Sequence, residues 1–138
     1  MTMRYILISL LALGLAGCST TPVSSSLAKE VKASSSYQFR QGYVPVTIIR
    51  DKGMIASACA ITAFINGNKV AELNTSEKVV AYVEPGELIV GAGFIGSGLC
   101  NGAPKREREF IIKEAQPRSL RIFIDQSANV DILPTTEY

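Results

Sequence analysis

From Val44 onward, short apolar and β-branched runs alternate with clusters of Gly, Pro, Asn and Asp, which is the pattern of strands separated by turns. Strands are predicted at 44–50, 58–65, 69–73, 78–83, 87–92, 107–113 and 118–125, with a weaker one at 129–133. In the strand at 118–125, Leu120, Ile122 and Ile124 alternate with Arg121, Phe123 and Asp125, so one face is expected to be buried and the other partly wet. Asn66-Gly67 is a strong tight-turn signal, because both residues tolerate the positive φ that a two-residue hairpin needs. Glu84-Pro85-Gly86 is a second turn, with Pro85 setting φ and Gly86 free for the left-handed region. The sum is an all-β chain: a small sandwich, immunoglobulin-like or PEGA-like in shape, of about seven strands over residues 42–138.

The amino-terminal pattern is different. One cation, Arg4, precedes an unbroken apolar run at 6–15. That run falls short of the roughly 20 residues needed to span a bilayer, and it has the layout of a secretion signal over residues 1–17. It ends in Leu15-Ala16-Gly17-Cys18, which resembles the lipobox of bacterial lipoproteins. The resemblance implies cleavage before Cys18, a diacylglyceryl group on its sulfur, and an effectively permanent membrane lipid anchor. Ser19 stands where an Asp tends to retain enterobacterial lipoproteins at the inner membrane, which implies the outer membrane with the domain facing the periplasm. Residues 18–41 are expected to form a flexible tether. The Ser24-Ser25-Ser26 and Ser34-Ser35-Ser36 runs leave too little apolar surface for self-ordering, and about 20 such residues reach roughly 25 Å.

Removal of the leader leaves 121 residues, enough for one core. It also takes away Arg4, bringing the net charge from +2 to +1 and leaving no broad basic footprint for nucleic acid. With Cys18 acylated, Cys59 and Cys100 are an even pair in an oxidising compartment, and a disulfide between them is expected. Redox or metal chemistry is a poor alternative, since there is no Cys-x-x-Cys and no His. Accordingly no metal and no cofactor is expected.

The succession Ile65-Asn66-Gly67-Asn68-Lys69-Val70-Ala71, then Tyr82-Val83-Glu84-Pro85-Gly86-Glu87, then Ile111-Ile112-Lys113 resembles small bacterial lipoproteins related in pattern to PEGA-type β-sandwich domains. The likeness covers about residues 46–125 and rests on turn motifs. It implies a sandwich and a Cys pair placed as Cys59 and Cys100 are. It carries no catalytic residues over.

Three constellations have chemical content. Gly91-Ala92-Gly93-Phe94-Ile95-Gly96 matches the G-x-G-x-x-G string, but Ser97-Gly98-Leu99-Cys100-Asn101-Gly102 cannot open the helix on which pyrophosphate binding depends. Arg106 and Arg108, with Arg121, are candidates for an anionic glycan or lipid, or else belong to a solvated strand face offset by Glu107 and Glu109. Phe94, Ile95 and Leu99 either offer an apolar loop to another envelope protein or fold back over the core beside Cys100. Without His, Ser/His/Asp and Cys/His nucleophiles are excluded, and the carboxylates are scattered. The expectation is therefore a non-catalytic binding or structural module at the cell envelope, ahead of an anionic-ligand binder and, last, a small hydrolase.

Overall fold

The computed structural model describes residues 19–102 and 104–136; the expected leader and Cys18 lie outside the described residues. Among them nine strands form two sheets: β1 (Lys29–Val31), β2 (Val44–Arg50), β3 (Ile61–Ile65), β4 (Asn68–Leu73), β5 (Glu77–Val83), β6 (Gly86–Gly93), β7 (Arg106–Ile112), β8 (Arg118–Ile124) and β9 (Val130–Pro134). The five-stranded sheet has the order β1-β5-β2-β8-β9 and the four-stranded sheet the order β4-β3-β6-β7. At the centre of the larger sheet, β2 runs antiparallel to β5 and parallel to β8.

Period-2 alternation builds the core. Val46 and Ile48 of β2, Val79 and Ala81 of β5, and Leu120, Ile122 and Ile124 of β8 point inward and are fully buried. Ile61, Ala63, Ile65, Val90 and Ala92 face them from the other sheet. All eight expected strands are present, and β1 is additional. The strand expected from Ala58 starts at Ile61 instead, because the carbonyls of Ala56 and Cys59 are drawn to the Arg50 side chain rather than to a neighbouring strand.

The two turn signals serve different purposes. Asn66 and Gly67 take φ values of 48° and 79° and close the β3–β4 hairpin. Glu84-Pro85-Gly86 is a corner and not a hairpin: β5 and β6 belong to different sheets, and Gly86 at φ 130° turns the chain from one to the other.

The segment expected as a free tether is docked along the larger sheet. Thr20 donates its amide to the carbonyl of Ile124, and Thr21 exchanges backbone hydrogen bonds with Lys52. β1 then pairs in parallel with β5, Ser34 bonds to Val70, and the Tyr37 hydroxyl donates to the carbonyl of Ile65. Its composition argued that it could not bury a core of its own, and it does not need to. It completes an existing sheet edge, whose unpaired N–H and C=O groups favour another strand, while Val23 and Ala28 pack on Ile49 at the outer face of β2.

The disulfide forms as expected. Cys59 and Cys100 lie with Cα atoms 5.4 Å apart and 41 residues apart in sequence, joining the β2–β3 connection to the loop after β6. Closing a loop of that size constrains the unfolded chain by about 4 kcal/mol. The paired change Cys59→Ser and Cys100→Ser should lower unfolding stability by up to about that amount, measured by urea titration against the oxidised protein.

Candidate functional site

The polar chemistry concentrates where β2 ends. Arg50 and Asp51 are consecutive, so their side chains leave the strand on opposite sides. Arg50 turns inward and is 1% exposed. Its Nη1 donates to the carbonyls of Cys59 (2.5 Å) and Leu73 (2.8 Å), and its Nη2 to that of Ala56 (2.8 Å). Nε has no hydrogen-bond partner among the described residues. Burial lowers the guanidinium pKa, and the charge of Glu77 opposes that shift.

Asp51, equally buried, faces the other way. Arg121 of β8 grips both of its oxygens: Nε donates to Oδ1 at 2.8 Å and Nη2 to Oδ2. The Thr20 hydroxyl donates to Oδ2 at 2.8 Å and accepts from the Ile124 amide at 2.9 Å. One carboxylate thus holds the amino-terminal segment, the end of β2 and the end of β8 together.

The same end of the sandwich carries the loop after β6. Phe94 is 7% exposed and folds back over the core, whereas Ile95 (58%) and Leu99 (103%) stand in solvent, as does Met54 (91%) in the β2–β3 connection. The two readings of this loop therefore each hold for part of it. Its glycines serve close packing. A Cβ on Gly93 would lie 2.9 Å from the Cβ of Lys105, and one on Gly96 would lie 2.9 Å from the Cβ of Cys100. The loop is shaped to pass the neighbouring chain and the disulfide, with no helix beginning after it for a phosphate to meet.

The three candidate arginines divide into two groups. Arg106 and Arg108 share strand parity with the buried Phe110 and Ile112, so they lean towards the opposite sheet rather than lining the outer face with Glu107 and Glu109. There they meet Asp131 of β9. Arg108 bonds it through Nε (2.6 Å) and through Nη2 (2.8 Å), with Arg106 Nε 3.7 Å away. Arg121 belongs to the other sheet and is occupied by Asp51, so no continuous basic strip forms. The correction is one of parity: three cations close in sequence pattern belong to two different carboxylate pairs. Arg106 and Asp131 also line a shallow groove of about 440 Å³ with Phe94, Pro104, Phe123 and Asn129.

The hydrogen bonds from Arg108 raise its own pKa and hold the Asp131 carboxyl below the usual carboxylate range. Asp125, one turn earlier, is also lowered, first by the backbone N–H of Asn129, then by its side chain and by the Ser127 amide. Among the described residues no three His, Cys, Asp or Glu side chains gather as a metal-ligand set. Sequence reasoning missed the roles of Thr20, Arg50 and Asp51. The one signal for them was a charged pair ending an otherwise apolar strand.

Compared with known proteins, the chain matches no family model, no curated protein sequence and no solved structure.

Two consequences follow for stability. Arg121→Ala strands the buried Asp51 carboxylate and should cost about 3–5 kcal/mol by chemical denaturation, whereas Arg118→Ala at the exposed end of the same strand should cost under about 1 kcal/mol. Asp125 and Asp131 titrate below their unfolded values, so the unfolded chain takes up protons first as pH falls below about 4. Their stabilisation is complete above that pH and is lost as pH drops through the lower folded values. The urea midpoint should decline in that acidic window, and Asp131→Asn should flatten the decline; an unchanged slope would remove Asp131 from the account.

Proposed function

We infer that this chain is a membrane-anchored lipoprotein of the bacterial cell envelope, held by acyl chains on Cys18, whose sandwich acts as a non-catalytic binding or structural module. The observation that carries this reading is the division of the three cysteines. One ends an apolar leader in Leu15-Ala16-Gly17-Cys18, and the other two pair across 5.4 Å, as suits an oxidising compartment outside the cytoplasm. Ser19 favours the outer membrane, with the domain in the periplasm. Kinship with PEGA-type lipoprotein domains belongs to the same reading and draws support from the two-sheet fold and the cysteine placement.

The module reading is further supported by how the charged groups are used. Asp51, Arg121, Arg108, Asp131 and Asp125 each hold one part of the fold to another. An anionic glycan or lipid at Arg106, Arg108 and Arg121 has less support, since it would have to displace a bidentate carboxylate from two of the three.

The test is acylation. The full chain, expressed with its leader in a Gram-negative host fed an alkynyl palmitate, should take up the label and fractionate with membranes. Cys18→Ser should abolish both, while a non-reducing digest still yields the Cys59–Cys100 peptide pair. An unlabelled wild-type chain recovered in the soluble fraction would end the lipoprotein reading.

A further inference from the structure

The lipid anchor and the docked amino-terminal segment, taken together, fix how the domain meets the membrane. Thr20 is 5% exposed and tied to Asp51 and Ile124. It is two residues from Cys18, and two extended residues span at most about 7 Å. The headgroup layer on each side of a bilayer is roughly 5–8 Å deep. An acylated Cys18 therefore leaves the domain no slack: the end of the sandwich that holds Thr20 stands at headgroup level.

That end has an unusual surface. It carries the β2–β3 connection, the loop after β6 and the β8–β9 turn, because β2, β6 and β8 all finish there while β3, β7 and β9 start there. Exposed Met54, Ile95 and Leu99 project from two of these loops, and the disulfide ties those two loops together. Lys52 is exposed beside Thr21. Nearby acidic groups are turned inward, Asp125 onto the amides of Ser127 and Asn129, and Glu77 onto the amide of Asn74. The opposite end is built from the Asn66-Gly67 and Glu84-Pro85-Gly86 turns and bears exposed Glu84 and Glu87.

We propose that the Thr20 end is a membrane-seating surface, with Met54, Ile95 and Leu99 entering the interfacial layer of the leaflet that holds the Cys18 acyl chains and Lys52 facing lipid phosphates. The partner is the lipid surface itself. Apolar loop side chains gain by leaving water at that depth, and a cation beside them meets anionic headgroups. The far end then points away from the membrane, free for whatever the module holds.

This inference rests on the lipoprotein reading, and its test separates the two. With Cys18 acylated and Cys59–Cys100 oxidised, Met54→Cys and Glu84→Cys each supply a single free thiol for a fluorophore. The labelled chains are reconstituted in phosphatidylethanolamine/phosphatidylglycerol vesicles that carry a headgroup nitroxide lipid, and the acyl mass is confirmed by mass spectrometry. Quenching at position 54 should exceed that at 84 at least threefold, and adding Ile95→Asp and Leu99→Asp to the Met54→Cys chain should reduce it at least twofold. Equal quenching at 54 and 84 on a chain of confirmed acyl mass overturns the seating alone. Quenching at 54 that ignores the two aspartates overturns the role of the apolar side chains. A chain without the acyl mass overturns the anchor and the seating with it.

Discussion

A carboxylate with no access to water survives only if its charge is met on every side, and Asp51 is in that position. Arg121 and Thr20 meet it, and in doing so they join parts of the chain up to 104 residues apart. Beside it, Arg50 gathers three carbonyls of the β2–β3 and β4–β5 connections that no strand could satisfy. The two residues divide one end of the sandwich between them: Arg50 fixes the loops over the core, and Asp51 fixes the amino-terminal segment against the sheet. The disulfide then secures the outer loop to what Arg50 already holds.

Much of the fold was legible because it is local. Strand positions follow from alternation that one side of a pleated strand must obey, and Leu120, Ile122 and Ile124 are inward as that pattern requires. The cysteine pair was legible by counting. What was not legible is what depends on partners far along the chain. The Ser-rich segment looked unfoldable when judged on its own apolar content, whereas its order comes from the open edge of β5 and from Ile49. The arginines looked like a strip because sequence proximity does not reveal strand parity or sheet membership; Arg108 finds Asp131 only after β7 and β9 come together at the open edge of the sandwich.

The candidate site was half visible for the same reason. Phe94, Ile95 and Leu99 stood out as apolar residues among glycines, but only the packing of Gly93 and Gly96 against Lys105 and Cys100 decides which of them is drawn in. Met54 drew no notice in sequence, being a single apolar residue in a polar stretch. It acquires interest from its neighbours across the disulfide, Ile95 and Leu99, and from Thr20, which marks where the chain leaves the domain.

The contact between Thr20 and Ile124 also sets an order of events in time. No part of it can form until the chain is made as far as β8, so the first segment to emerge is among the last that can settle. Until then, residues from Ser19 to Ala33 have no β5 edge and no buried carboxylate to receive them, and any enzyme that works on the adjoining amino terminus meets an extended, undocked substrate. Once β8 has closed on β2 the segment is taken up, the substrate form disappears, and maturation becomes self-terminating: folding itself withdraws the chain from further processing.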